Sequence, residues 1–238
     1  MKNISAIITR ELKSYFVSPI AYAVLFVFLL ISGYYFYIYI YEIGDACRVI
    51  PYLLSFIGFI SLFTTPFITM RLVAEEKKTG TIEVLLTNPV LELEISAGKF
   101  LASLLLYLSI IFVTFFYVII LSIYGSPDFG PIFSGYLGLI LLEATFLSVG
   151  LLFSTMTSNQ IIAAILTFGV LLLFWLIGWV GSYFQRPYRD ILQYLSFIEH
   201  YEDFGKGIID TKHIIFYLSV IGFNIFLSSK IMESRKRN

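Results

Sequence analysis

Residues 71–99 read RLVAEEKKTGTIEVLLTNPVLELEISAGK, the only long, highly charged run lying between two very apolar segments. Both flanking segments have the length and composition of membrane spans, so the run is pinned at each end and must face water. Within it, Gly80 can break or bend a helix. After Gly80, residues 81–86 (TIEVLL) form a short helix with Ile82, Leu85 and Leu86 on one side, stopped by Asn88-Pro89. A short amphipathic helix held outside the membrane suits insertion into a groove on a partner protein. Its surroundings mix basic Arg71, Lys77, Lys78 and Lys99 with acidic Glu75, Glu76, Glu83, Glu92 and Glu94. That mixture fits a specific protein contact better than simple attraction to anionic lipid.

The whole chain supports the membrane reading. Of its 238 residues 58% are hydrophobic and only 13% charged, with mean hydropathy +0.87. A soluble domain carries about 25% charged residues, so this chain has too little polar surface to cover a water-facing globule. The net charge is zero, and no basic patch with interleaved aromatics points to nucleic acid. Cys47 stands alone, which excludes an intrachain disulfide or a cysteine metal site. The two histidines, His200 and His213, lie near Glu199, Glu202 and Asp203 but lack tight ligand spacing such as HExxH. They read as solvated loop residues, with no metal site. A membrane enzyme using this acidic segment is the weakest of the functional readings.

Working outward, residues 20–41, 52–70, 100–123, 132–156, 161–183 and 214–229 are the six stretches that reach or approach the ~20 apolar residues a membrane helix needs. The last is the shortest, with Asp210 or Thr211 placed to cap its start. No cleavable leader is evident, because the first apolar run is too long for one. Ahead of it, Ile4, Ile7, Ile8, Leu12, Tyr15 and Phe16 recur at helical spacing. Residues 1–19 therefore read as an amphipathic helix on the membrane surface, broken from the first span by Ser18-Pro19. Between spans five and six, residues 184–213 are longer than a connector requires. Ile191, Leu192, Leu195 and Ile198 recur there with helical spacing, which suits a short amphipathic helix in the outer leaflet or packed on the span ends.

Orientation follows from lysine and arginine placement. Lys2, Arg10, Lys13, Arg71, Lys77, Lys78, Lys99, Lys230, Arg235, Lys236 and Arg237 fall on one side; Arg48, Arg186, Arg189, Lys206 and Lys212 fall on the other. Both termini and the 71–99 loop are therefore expected in the cytoplasm. Glu143 lies near the middle of span four. A charge at that depth costs about 2.5 to 3.5 kcal/mol, so Glu143 should face the bundle or a dimer interface, and burial favours its protonated form. It is either a polar contact to cargo or gate, or a helix–helix hydrogen bond to a group such as Asn224 on span six.

What is missing also decides. There is no GxxxxGK[ST]: Gly98-Lys99 is followed by Phe100, and residue 93 is leucine. The chain is not expected to bind ATP itself. GxSxG and HExxH are absent too, so no catalytic residue can be named.

At residues 70–89 and again at Gly98-Lys99-Phe100, the chain resembles the first cytoplasmic loop of ABC-2 type permeases, whose pattern is roughly R-x-x-x-EE-(K/R)-x-x-GT-(I/L)-E-x-LL-x-x-P followed by GK and an aromatic. Residues 10–19 (RELKSYFVSP) resemble the N-terminus of that family, and residues 154–160 (STMTSNQ) the end of its fourth span. Residues 207–212 (GIIDTK) resemble the gliding-motility-associated subgroup. The resemblance implies an all-α integral membrane fold over residues 1–238. Six transmembrane helices would carry an N-terminal interfacial helix, a cytoplasmic coupling helix between spans two and three, and a short outer re-entrant or amphipathic helix between spans five and six. It implies a pair of separate ABC ATPase subunits that bind ATP and Mg, and a second permease chain, identical or related. An accessory motility or secretion subunit and membrane lipid complete the implied partners, at the cytoplasmic (inner) membrane. Glu75, Glu76, Gly80, Thr81, Ile82, Glu83, Leu85 and Leu86 would carry ATPase coupling, and Ile191, Leu192, Leu195 and Ile198 an outer gate. The chain would serve export or mechanical work; a membrane scaffold that moves no cargo is the alternative.

Overall fold

A computed structural model describes residues 2–81 and 91–236, which form ten α-helices and, among the described residues, no strand. They are α1 (Lys2–Val17), α2 (Pro19–Ile43), α3 (Ala46–Thr69), α4 (Ala74–Thr79), α5 (Glu92–Tyr124), α6 (Phe129–Met156), α7 (Gln160–Gly181), α8 (Tyr188–Leu195), α9 (Phe197–Gly205) and α10 (Thr211–Lys236). Six of them, α2, α3, α5, α6, α7 and α10, are long and apolar enough to cross a membrane. This is an all-α integral membrane fold.

Local chemistry sets the boundaries. Ser18 adopts an extended conformation and Pro19 opens α2, where its missing N–H costs nothing. Asp45, Asp128, Asn159 and Asp210 each accept a backbone N–H at the start of the helix that follows, as N-caps do. Three spans run further than hydropathy suggests, α3 by starting at Ala46 rather than residue 52. The third span starts at Glu92 rather than residue 100, because Glu92 and Glu94 complement the positive end of the helix and the Glu94 carboxylate accepts the Leu91 N–H. The last span is not short: α10 has 26 residues, and Lys230 pairs with Glu233 at 2.7 Å to prolong it.

The sixth helix, α6, is the axis of the bundle. In its most apolar window 72% of the residues are buried inside the chain, against 17% for α2 and 22% for α7 and α10. Those three helices instead turn Phe26, Leu30, Ile165, Leu173, Leu218 and Phe223 outward, as lipid-facing helices do. Two glycines let neighbours reach the α6 backbone. A Cβ at Gly150 would collide with Thr69 of α3, and one at Gly138 would sit 2.6 Å from the Phe204 ring of α9.

The segment after α7 is not one short helix but two, α8 and α9, joined at Ser196. Ser196 is extended and ends the helical run. The pair forms a hairpin at the end of the bundle opposite α4, and α9 is anchored by buried Phe197, Tyr201 and Phe204. Ser134 of α6 donates to the Phe204 carbonyl at 2.7 Å, and Tyr217 of α10 donates to the Phe197 carbonyl at 2.8 Å.

A valine at Gly138 must push Phe204 out of its seat. We expect Gly138→Val to lower the thermal midpoint of the purified protein by the equivalent of about 1–3 kcal/mol. Gly169→Val, at a position with nothing within 4 Å, should stay within about 0.5 kcal/mol. Equal midpoints for the two variants would contradict the close packing of α6 on α9.

Candidate functional site

The polar groups of the loop end converge on one side chain. Lys99 follows Gly98 in the second turn of α5, and Gly98 lets Ile7 of α1 approach to 2.8 Å from where a Cβ would stand. With α1 so close, the Lys99 side chain is only 1% exposed. Its Nζ lies 3.0 Å from Glu11 of α1 and donates to the Leu72 carbonyl at 2.6 Å. It also lies 2.9 Å from Glu76 Oε2, as an ion pair off the line of a hydrogen bond. Arg10 bridges the same two carboxylates, at 2.6 Å from Glu11 and 2.7 Å from Glu76. Burial by itself would raise the Glu11 carboxyl, but Lys99 and Arg10 outweigh it and hold it below the usual carboxylate range. Arg71 grips both oxygens of Glu75, at 2.8 and 2.9 Å, and donates to Ser18 at 2.9 Å. A cleft of about 600 Å³ opens between α1 and α4, lined by Arg10, Glu11, Tyr15, Arg71 and Glu75.

A second set of contacts ties α4 to the axis. Ser154, near the end of α6, accepts the backbone N–H groups of Val73 and Ala74 at 3.0 and 3.1 Å. This caps α4 from another helix. Lys77 donates to the Thr155 carbonyl, where the negative end of the α6 dipole favours a cation. Gly80 then ends α4 at φ +75°, a left-handed conformation that glycine adopts without strain. Thr81 bonds Thr79 and the Glu76 carbonyl.

Glu75, Glu76, Gly80 and Thr81 therefore lie together at the loop end, with both carboxylates engaged within the chain. Ile82, Glu83, Leu85 and Leu86 lie outside the described residues. Lys99, expected in a water-facing loop, is buried because α5 begins before it and α1 covers it. The sequence holds a trace of this: Lys99 is the only charged residue between Glu94 and the end of α5.

Inside the bundle, Glu143 stands at the midpoint of α6 and is fully buried. Thr65 of α3 donates to its Oε2 at 3.4 Å, and nearby Tyr107 of α5 donates to Ser61 of α3 at 2.9 Å. Asn224 is not the partner of Glu143. It donates to Ser148, also on α6, at 3.0 Å, five residues toward the loop end. At the opposite end, Ile191 is 56% exposed and Leu195 38%, Leu192 packs over Gly181, and Ile198 is half-buried against the core. The four do not share one buried face, because the break at Ser196 resets the helical register. His200 and His213 are buried rather than solvated, at 3% and 5% exposure. Among the described residues no group of three or more metal-ligand side chains comes together.

Six helices long and apolar enough to cross a membrane, with the charged helix α4 tied back onto them, define a multi-pass helical membrane protein. The family model described as ABC-2 family transporter protein matches residues 5–229, and the chain belongs to that family. Comparison with curated proteins gives no match.

Replacing Lys99 alone leaves Glu11 and Glu76 to share Arg10, so one largely buried negative charge is uncompensated. We expect Lys99→Met to cost about 3–5 kcal/mol, read as a lower thermal midpoint and faster proteolysis within α1. Retention of wild-type stability would show that the buried ion pair does not hold α1. The same network gives a pH dependence. The Glu11 carboxyl is depressed in the fold, so its contribution is present above the carboxylate range of the unfolded chain and is lost as pH falls through the lower folded value. Acidification below about pH 4 should release α1 in wild type, measured by protease access. Glu11→Gln should remove that part of the pH dependence.

Proposed function

We propose that this chain is the permease subunit of an ABC transporter, coupling ATP hydrolysis by a separate pair of ATPase subunits to export or to mechanical work. The observation that carries this reading is the double attachment of α4. Its start is capped by Ser154 of α6, and its Glu76 pairs with Arg10 of α1 and Lys99 of α5. A load on the segment that follows Gly80 therefore reaches the bundle axis and two further helices through short hydrogen bonds and ion pairs. A free loop would absorb the same displacement.

In this reading the loop lies in the cytoplasm with both termini, in the inner membrane, as the bias of lysine and arginine supports. Glu83 and the apolar Ile82, Leu85 and Leu86 meet the ATPase. Glu75 and Glu76 act from behind, anchoring the helix that presents them. A second permease chain, identical or related, faces this one. The lipid-facing surfaces of α2, α7 and α10 leave room for it. The likeness of residues 207–212 to gliding-motility-associated permeases supports a place in a motility or secretion machine, with an accessory subunit of that machine as a further partner.

A second reading, a membrane scaffold that moves no cargo, is favoured by two polar contacts made between helices inside the bundle. Thr65 serves Glu143, and Ser148 serves Asn224.

Co-purification with a candidate ABC ATPase tests the proposal. The wild-type chain should retain the ATPase. Glu83→Arg should lose it by reversing the charge at the contact, and Gly80→Val should weaken it, because valine is strained at φ +75°. Equal retention by all three chains would remove the loop as the docking site. An ATPase retained without any cargo movement in sealed vesicles would move the scaffold reading ahead.

A further inference from the structure

The two histidines of this chain meet in the hairpin. His200 of α9 and His213 of α10 are thirteen residues apart, yet their Nδ1 atoms stand 2.6 Å from each other. Each ring is fixed from its far side. His200 Nε2 lies 2.8 Å from the Tyr194 carbonyl, and His213 Nε2 lies 2.9 Å from Asp203 Oδ2. The His200 ring also stacks on Phe216 at 3.9 Å between centroids.

These contacts fix a proton count. A carbonyl only accepts, so His200 carries hydrogen on Nε2. The His213 bond holds the Asp203 carboxyl below its usual range, so Asp203 accepts as a carboxylate and His213 also carries hydrogen on Nε2. Both Nδ1 atoms then face one point. Two neutral rings would set lone pair against lone pair at 2.6 Å, and two cationic rings would set N–H against N–H. Only a pair with one extra proton makes an N–H···N bond. Burial pushes the His200 ring toward its neutral form, and the carboxylate of Asp203 lies on the His213 side of the pair. A shared metal fits worse: two nitrogens on one zinc ion stand about 3.3 Å apart at ordinary bond lengths, further than these do.

We propose that His200 and His213 form a binding site for a single proton, which latches the α8–α9 hairpin to the start of α10 and frees it when the proton is withdrawn. The charged surroundings hold that proton. Asp203 accepts from the pair directly. Glu199 and Glu202 lie on the same helix as Asp203, and Lys206, just past its end, stands 3.6 Å from Glu202 and 3.7 Å from Asp203. Lys212 of α10 pairs with Asp210 at 3.0 Å, and α8 contributes Arg189, which acts on Glu199. The other helices packed on α9 present uncharged groups: Ser134 and Tyr136 from α6, Ser55 from α3, Phe174 and Gly178 from α7. On the orientation proposed above, the proton comes from the compartment opposite the ATPase; the site itself does not depend on that orientation.

Because the chain has two histidines, histidine labelling reads this site alone. The full chain would be purified through a histidine-free tag, labelled with [15N]histidine and placed in lipid nanodiscs. At pH 7.5, where free imidazole is about 10% protonated, we expect one ring with both nitrogens protonated, one Nε2–H ring, and a coupling across the Nδ1–H···Nδ1 bond. Asp203→Asn should move release of that proton to a pH lower by about one unit. On release, amide exchange in residues 194–205, corrected for its intrinsic pH dependence, should quicken about tenfold. Two neutral rings at pH 7.5, two independently titrating rings, or Nδ1 shifts that follow co-purified zinc would each overturn the one-proton site. A shared proton whose release leaves amide exchange unchanged would overturn the latch.

Discussion

Burying the Lys99 amino group is the constraint on which the loop end depends. Water cannot serve it there, so its three donors must find acceptors in the chain. Two go to Glu11 and the Leu72 carbonyl, and Glu76 adds an ion pair at 2.9 Å; these three belong to α1, the turn before α4, and α4. One side chain thereby fixes the entry of the chain into the membrane and the exit of span two against the start of span three. Arg10 completes the arrangement by neutralising the second carboxylate. A buried group of this kind adds less to net stability than its distances suggest, since desolvation offsets much of the attraction. Its effect is to make other arrangements of α1 and α4 costly.

The axis helix α6 gathers these constraints because it touches both ends. At the loop end its Ser154 and Thr155 hold α4. At the other end Gly138 and Ser134 seat α9. Between them Gly150 brings α3 close, and Glu143 and Ser148 bond α3 and α10. A close-packed helix fixed at several points transmits a displacement with little loss, because packed interiors deform little before they rearrange. In the proposed function, this helix is the path from the loop to the far face of the bundle.

The hairpin at that far face is built differently. Its apolar contacts are broad, through Phe197, Tyr201 and Phe204, but its polar contacts are few and directed: Tyr217 to Phe197, Ser134 to Phe204, and the histidine pair.

The sequence by itself determined the membrane class, the six spans, the break at Ser18-Pro19, the stop at Gly80 and the family resemblance that the match over residues 5–229 supports. These follow from run lengths of apolar residues and from backbone rules that act within a few positions. It also marked Glu143 as a residue that must face inward. Only the tertiary structure decided that Lys99 is buried, that Glu75 and Glu76 bond within the chain, that Thr65 rather than Asn224 serves Glu143, and that His200 meets His213. Each of these joins residues from different helices, and hydropathy carries no record of which helices touch. The start of α5 and the length of α10 were missed for a related reason. Capping carboxylates and a terminal Lys–Glu pair extend a helix beyond its apolar part, and they do so through hydrogen bonds that an apolar count does not register.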